Sequence, residues 1–554
     1  MNRLERIINY VAPGVAKKRA AARTETIRQE KIATVLNQGY GSHGASRTKK
    51  SMSLWNPNIG DADSDIHDYL EELRARSRDL AVGGAIVAGA HKTMRTNVVG
   101  TGLRLKPAFD KDFLNLTAEQ SATLKSQIDR EWSLWADSKN CDAAGLNDFY
   151  GLQQLAFLSQ LQSGDVFGLL PMIPRKFSIY DLKVNLIEAD RCSSPNLSDT
   201  DRIQSGVEVD ETGMIVAYHF SSRHPGSGKS YLGGDQKWTR VLSRGEETGR
   251  YNVLHLMESE RPGQRRGVPI IAPVIEALKQ LDRYTEAELT AAAVQAMFTV
   301  FIETENADDS SAFGLQPPDT DNLAGEELPP NDIKLGAGAV QFLEAGEKAN
   351  FADPTRPNPN FDPFVTAILR QIGSALEIPY ELLVKHFTSS YTASRAAMLE
   401  AWKMFRMRRT WLAKSFCQPI YEEWFVEAVT KGRIDAPGIF DDPAIFRAYT
   451  KAAWYGPSQG MLDPVKEVNA AISRIEYNFS TAEGETAELT GGEWESNVQQ
   501  RAHELATLKR YGLSEGAAKV VATAAPVSSD VGDEEDDSDD LEGGEKENAQ
   551  EDQS

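Results

Sequence analysis

The chain has 554 residues, 41% of them hydrophobic, and a formal net charge of −21 at pH 7; that is material for more than one packed core. Its most apolar stretches, 80–90 and 289–302, are too short to span a bilayer, and Met1-Asn2-Arg3-Leu4-Glu5-Arg6 opens on no apolar run, so neither a membrane span nor a signal peptide is expected. The three cysteines, Cys141, Cys192 and Cys417, stand far apart with no paired spacing, which argues against a disulfide framework or a zinc site and leaves buried, reduced thiols as the expectation.

Charge is polarised along the chain. Residues 1–50 hold eleven Lys/Arg against three acids, and residues 530–554 hold thirteen acids against one lysine. A basic arm and an acidic tail therefore flank a mildly acidic body, and both ends have too few large apolar residues to offset the entropy of ordering.

In chain order, residues 2–36 have loose helical spacing through Ile7, Ile8, Val11, Ile27, Ile32 and Leu36, and 39–50 read as a polar linker. The spacing of Tyr69, Leu70, Leu73, Leu80, Ile86 and Val87 predicts one helix over 65–96, released by Gly100 and Gly102 into a strand at 103–106. Helices at 117–138 and 148–162 follow. The period then becomes that of strands, at 166–173, 183–189, 206–210 and 214–220, with a hairpin turn at 211–213 and a further strand at 251–258. Residues 269–298 predict an uninterrupted helix of roughly 45 Å at 1.5 Å per residue. A short strand at 299–303 leads into a Pro/Asp/Gly-rich segment up to 360, with more strand around 339–343. A helix over 361–376 stops at Ile378-Pro379. A loop through Lys385 and His386 precedes a helix over 392–429 that bends or splits at Pro419. The remainder to 512 reads as mostly helical, with turns at Gly456-Pro457 and Gly491-Gly492.

Catalytic constellations are not apparent. His224-Pro225-Gly226-Ser227-Gly228-Lys229-Ser230 ends like a phosphate-binding loop, but the required first glycine is Arg223 and no helix opens behind it. The eight histidines are scattered singly, at 43, 67, 91, 219, 224, 255, 386 and 503, without the i,i+4 partner of a helical zinc site. His255 reads as serving the fold. Asp308-Asp309 and the acids at 533–540 lack the register of a calcium loop. No cofactor or metal ligand set is expected, and no enzyme activity. The helix after Thr392 carries Arg395, Lys403, Arg406, Arg408, Arg409 and Lys414 among Met398, Trp402, Phe405 and Leu412. The apolar set is core or subunit interface; the basic set is open between a nucleic-acid stripe and inter-subunit ion pairs.

Five strings occur in one order: Asn97-Val98-Val99-Gly100-Thr101-Gly102; Gly164-Asp165-Val166-Phe167; Arg261-Pro262-Gly263-Gln264-Arg265-Arg266-Gly267-Val268-Pro269; Ser390-Tyr391-Thr392-Ala393-Ser394-Arg395-Ala396-Ala397-Met398-Leu399-Glu400; and Trp454-Tyr455-Gly456-Pro457-Ser458-Gln459-Gly460-Met461-Leu462-Asp463-Pro464. In this the chain resembles the portal proteins of tailed bacteriophages, the lambda-like family. The resemblance covers about residues 60–512 and implies a mainly helical α+β portal fold, with a β-rich wing block, that assembles into a cyclic, dodecameric ring at one capsid vertex. Carried onto this sequence, it divides the chain into a basic arm (1–60), wing (61–265), first stem helix (266–298), clip (299–360), second stem helix (361–376), tunnel loop (377–394), tunnel helix and wing return (395–469), crown (470–525) and an acidic disordered tail (526–554). It implies a virion protein made in the host bacterial cytoplasm, a channel for DNA packaging and ejection, and a docking platform. The implied partners are further copies of itself, double-stranded DNA without sequence preference, the terminase large subunit, head-completion or adaptor proteins, the major capsid protein and scaffold, and no membrane.

Lys385, His386, Ser389, Ser390 and Arg395 are the expected tunnel-loop residues of the DNA channel, with Lys385, His386 and Arg395 expected to touch phosphate. Arg261, Pro262, Gly263, Gln264, Arg266, Gly267, Trp454, Gly456, Pro457, Gly460, Asp463 and Pro464 carry the family motif, and Arg266 is expected to matter more for assembly than for folding of one subunit. The competing reading is a DNA-binding capsid or scaffold component that forms no channel.

Overall fold

A computed structural model describes residues 12–37, 45–46, 49–57, 59–227, 236–296, 300–302, 340–342, 360–387, 390–460, 463–492 and 494–512. The chain divides into two compact units, Met1–Pro457 and Ser458–Ser554. The fold is mixed α+β and mainly helical.

In the first unit, helix α1 (Pro13–Asn37) precedes α2 (Ala62–Gly83) and α3 (Ala85–Val98). The single helix expected over 65–96 is thus two. Gly84 stands between them in extended conformation, and a Cβ there would lie 2.7 Å from the Leu80 carbonyl oxygen. Strand β1 (Arg104–Pro107), helix α4 (Ala118–Ala136) and helix α5 (Phe149–Ser163) fall where the pattern put them. Helix α4 starts on a capping box in which Thr117 and Gln120 each satisfy the other's backbone amide.

The β-rich block is two antiparallel sheets. In the first, β2 (Asp165–Leu169) lies between β3 (Asn185–Glu188) and β8 (Val253–Met257), with Phe167 opposite both Ile187 and His255. The second runs β4 (Ile203–Gln204), β5 (Val207–Val209), β6 (Ile215–Ser221) and β7 (Trp238–Leu242) in chain order. Strand β2 ends at Leu169, short of the predicted 173, because Pro171 has no amide to continue the ladder. Strand β7 was not predicted: it is a half-exposed edge strand whose Thr239 and Arg240 hide the apolar alternation.

The long helix expected from 269 begins later. A 3₁₀ turn over Ala272–Val274 contains Pro273, and helix α6 proper is Ile275–Ala296, roughly 33 Å long. Strands β9 (Val300–Ile302) and β10 (Val340–Phe342) pair in parallel, and most of the expected clip, like the arm before 12 and the tail after 512, lies outside the described residues. Helix α7 (Phe361–Ala375) packs beside α6, with the Tyr284 ring 5.5 Å from Phe361 and 5.1 Å from Phe364.

A short helix α8 (Tyr380–Val384) leads to α9 (Tyr391–Leu412). A π segment at Ala413–Cys417 then joins α9 to α10 (Gln418–Thr430), so the break expected at Pro419 is absorbed in the turn before it. After α11 (Pro443–Thr450) comes β11 (Ala452–Tyr455), which pairs antiparallel with β1. That region was read as helical; four residues paired across about 350 positions leave no local signal.

Helices α4, α5 and α10, the π segment and β11 meet in an aromatic core. The Trp132 ring lies edge-on to Trp424 at 5.0 Å, Phe149 at 5.2 Å, Tyr421 at 5.6 Å and Trp454 at 6.0 Å. Offset and edge-to-face rings of this kind add about 0.5–1.5 kcal/mol per pair beyond their burial. The second unit holds helices α12 (Pro464–Glu476), α13 (Ala482–Thr490) and α14 (Trp494–Arg510).

Candidate functional site

The Gly164 and Arg261 strings of the sequence come together around one carboxylate. Asp165 opens β2 and is fully buried. Its Oδ1 accepts from Arg74 on α2 at 2.9 Å and from Arg266 at 3.2 Å; its Oδ2 accepts from Arg266 at 2.7 Å and from the Gly267 amide at 3.1 Å. His255, stacked on Phe167 at 4.4 Å, reaches the same Oδ2 at 3.3 Å.

Arg266 uses all five of its N–H donors. Beyond the carboxylate they go to the carbonyls of Ala189, Cys192 and Ser205, at 2.7, 2.8 and 2.6 Å. Burial alone would raise the Asp165 carboxyl, yet Arg266 and Arg74 hold it well below the usual carboxylate range. Burial pulls Arg74 down to about 10 and works the same way on Arg266, where Asp165 overrides it and raises the guanidinium. Burial also lowers His255, keeping the ring neutral between two arginines.

The Arg-Pro-Gly string is the clasp of this hub. Pro262 and Gly263 form an exposed turn closed by Gln264, whose Oε1 accepts from the Glu260 and Arg261 amides and whose Nε2 donates to the Arg266 carbonyl. Arg261 pairs with Asp65 at 2.6 Å and Arg265 with Asp63 at 3.0 Å, fastening the turn to the first turn of α2. Gly164 and Gly267 pass backbone against backbone: a Cβ on Gly164 would lie 2.4 Å from the Gly267 carbonyl group, and one on Gly267 2.0 Å from the Gly164 oxygen. Arg266 is therefore a folding residue of the single chain. Its burial and its five intramolecular bonds run against the expectation that it chiefly serves assembly.

Asp190 extends the network. It accepts from Arg78, from Arg74 at 3.4 Å and from His224 at 3.0 Å. Among the described residues, Glu188, Asp190 and His224 bring ligand atoms within 4.8 Å of one another. Arg78 also pairs with Glu188 at 3.4 Å, so two guanidiniums already neutralise these acids.

The Trp454 string lies elsewhere. Trp454 Nε1 donates to Gln418 at 3.2 Å, and its ring joins the aromatic core. Arg409 donates to the carbonyls of Val98, Asn97 and Pro457, and a Cβ on Gly456 would meet Arg409 at 2.8 Å. The Asn97 string and the Trp454 string are thus joined by an arginine that burial pulls down to about 10. Gly460 lies in an open left-handed turn; Asp463 caps α12, accepting from the Lys466 amide at 3.2 Å with Pro464 at the first helical position.

The basic helix α9 is resolved in part. Arg408 is buried and pairs with Glu258 at 2.9 Å, and Arg409 faces inward as above, so neither belongs to a nucleic-acid stripe. Lys403, paired with Glu400 at 2.6 Å, and Lys414 are exposed; Trp402, Phe405 and Leu412 are core.

The third place is the segment before α9. Glu377 turns at positive φ, Ile378 donates back to Gly373 at 2.9 Å, and α8 packs on α3 with Leu383 buried. Lys385 caps α8 in left-handed conformation, and His386 donates its amide to the Glu381 carbonyl at 3.0 Å. Lys385, His386 and Ser390 are exposed, and Ser390 caps α9. Arg395 is half-buried; Ser389 lies outside the described residues. A cleft of about 580 Å³ opens beside this segment, lined by Arg370, Glu377, Tyr380, Lys403, Met404 and Met407 among others.

None of these places is a reaction centre of recognisable kind. Burial pushes Cys141 and Cys192 up to about 12 and holds Cys417 well above the usual thiol value, so the three buried thiols stay protonated. Among the described residues no helix is long and apolar enough to cross a membrane. What the described residues define is a fold held by a buried ion hub at Asp165 and an aromatic core around Trp132.

The chain matches the family described as phage portal protein, lambda family, over residues 48–409. It belongs to that family. It is 25% identical over 522 residues to the portal protein of Escherichia phage N15, covering 91% of this chain and 97% of that one. Portal protein B of Escherichia phage lambda is 24% identical over 499 residues, covering 87% and 92% of the two chains. A probable portal protein of Halomonas phage phiHAP-1 is 24% identical over 487 residues, covering 87% and 88%. Among solved structures, a chain from the virion of a native gene transfer agent particle is similar with a TM-score of 0.36 at 12% identity, covering 79% of this chain and 95% of that chain.

Proposed function

We propose that this phage portal protein works as a ring of about twelve copies at one vertex of the capsid, through which double-stranded DNA is packaged and later ejected. The observation that carries this reading is the extent of the match: the family region spans 48–409, and the N15 portal protein aligns over nearly its whole length. In this reading helices α6 and α7 are the stem, 299–360 is the clip that meets the terminase large subunit and then the head-completion proteins, and 377–394 is the tunnel loop. The capsid protein and scaffold contact the outer faces.

Electrostatics support a conduit over a clamp. Each phosphate neutralised by Lys or Arg releases counterions and adds affinity, which brakes movement of the duplex. A subunit at −21 with few exposed cations near the loop avoids that brake. In this reading Lys385 and His386 touch phosphate; both are exposed at the end of a helix anchored on α3, which supports that role. Ser390 is engaged as a cap and Arg395 is half-buried, so both rank behind them.

The test is electron microscopy of the purified protein with class averages scored for rotational symmetry. Rings of about twelve subunits around an open channel support the reading. Compact dimers or open filaments would return it to a capsid or scaffold component without a channel.

A further inference from the structure

Helix α1 holds its shape without a packed face. Its 25 residues include Ala16, Ala20, Ala21 and Ala22, and alanine is the strongest helix former. Over 13–29 every side chain described is exposed, Val15 and Ile27 among them at 52% and 53%. Those two stand too far apart to make an apolar stripe, whereas a helix that docks into a protein groove anchors itself at steps of three and four. The charge of the span is basic: Lys17, Lys18, Arg19, Arg23 and Arg28 against Glu25. Arg28 reaches Glu25 at 3.7 Å, an exposed pair worth little. No acid stands in the first turn, so the positive end of the helix dipole adds to the cations instead of offsetting them.

The arrangement of these cations selects the kind of anion. At about 100° per residue they do not form one face. Lys17 and Arg28 fall on one side of the helix, Arg19 and Arg23 on the opposite side, and Lys18 between them. A flat acidic protein surface would meet one side only. The major groove of a DNA duplex has a row of phosphates along each wall, about 12 Å apart, and an α-helix about 10–12 Å across fits between them. Ala20, Ala21 and Ala22 keep α1 slim between its two groups of cations. At 1.5 Å per residue the helix is roughly 37 Å long, about one turn of the duplex.

We propose that α1 is a DNA-binding element of this protein, lying in the major groove with its cations on the phosphates of both walls and reading no base sequence. This rests on the reading of duplex DNA as a partner, and not on the ring. It adds a second contact to the loop residues named above. The affinity for DNA then sits on the arm, and the segment around Lys385 and His386 remains sparing in cations.

The test is binding of the full-length protein to a mixed-sequence duplex of about 30 base pairs, followed by fluorescence anisotropy from about 50 to 200 mM salt. The combined variant Lys17→Gln, Lys18→Gln, Arg19→Gln and Arg23→Gln keeps helix propensity and removes four charges. It should bind at least about tenfold more weakly at 50 mM salt, with a slope of log K against log salt shallower by about 2–4, since each phosphate contact contributes about 0.9. Lys17→Arg with Lys18→Arg should leave affinity and slope as they are. Ala21→Pro keeps every charge but breaks the helix, and should cost most of the same affinity. An unchanged slope in the glutamine variant would overturn the proposal and return DNA contact to Lys385 and His386. Full binding by Ala21→Pro would overturn it as well, since the cations would then act without the helix. Poly-glutamate that displaces the duplex at equal charge would also overturn it, assigning α1 to an acidic protein. The ring reading is judged separately, by the symmetry of particles in micrographs, so either can fail while the other stands.

Discussion

At the scale of the residue, the protein concentrates its polar stability in one place. Arg266 is buried, uses every donor, and has the Asp165 carboxylate as its counter-charge. Removing one partner of such a pair strands the other charge in a dry interior, a loss of about 3–5 kcal/mol. Arg266→Met should therefore lower the unfolding free energy of the unassembled chain by that amount, read from denaturant titration. Arg266→Lys should recover little, because a point ammonium cannot span the carboxylate and three carbonyls. A variant with wild-type stability that fails only in assembly would restore the expectation drawn from sequence. His91 on α3 is the opposite case: buried, with neither ring nitrogen partnered among the described residues, and lowered to about 4 by burial. Between about 6.5 and 4 the unfolded chain takes up a proton that the folded chain refuses. Its contribution is thus present in full above 6.5 and lost as pH falls through that window, about 3 kcal/mol in all at 1.36 kcal/mol per unit. His255 is shifted in the same direction and adds to the slope. His91→Leu should flatten the fall in thermal midpoint between pH 7 and 4.5; an unchanged slope would assign the whole effect to other groups.

At the scale of elements, the joint between β2 and the 261–267 turn is the tightest crossing of backbone described above. Gly164→Ala meets the Gly267 carbonyl at 2.4 Å and does so at φ +87, so both contact and conformation oppose it. The expected result is a loss of more than about 2 kcal/mol, with the Asp165 hub loosened as the turn is pushed off. A melt within 1 °C of wild type would show that the turn yields freely. This joint also measures what the sequence could tell. Gly164-Asp165 and Arg266-Gly267 were both legible as strings, and Asp165 was among them, but nothing local says that one carboxylate binds the other string's guanidinium across a hundred positions. Periodicity found α4, α5, α7 and the strands of the first sheet because each buries one face against its neighbours. It ran α2 into α3, since the apolar steps continue across Gly84, and it began α6 early, since Pro269 and Pro273 fit a helical first turn as well as a 3₁₀ one. In α9 the alternation of Arg with Trp and Phe signalled a basic face, while Arg408 and Arg409 turn inward to Glu258 and to backbone carbonyls. For the exposed cations Lys385 and His386, the sequence located the loop and the fold supplied the anchored helix behind it.

At the scale of the whole molecule, charge is the variable. The last 25 residues carry −12 of the −21, so removing 526–554 leaves the remainder at −9. Assembly should be unaffected, because the ion hub and the aromatic core both lie before residue 513. Affinity for linear duplex DNA should rise, since a polyanionic segment competes with phosphate for the same cations and repels the duplex over a Debye length. At 50 mM salt the truncated protein should bind about tenfold more tightly in a gel-shift titration, and at 0.5 M salt the two proteins should converge, because screening removes a purely electrostatic difference. A gain in affinity that survives high salt would mean that the tail masks a specific contact surface. No gain at low salt would confine the tail to solubility and leave the sparing use of cations along 377–395 as what keeps the duplex free to slide.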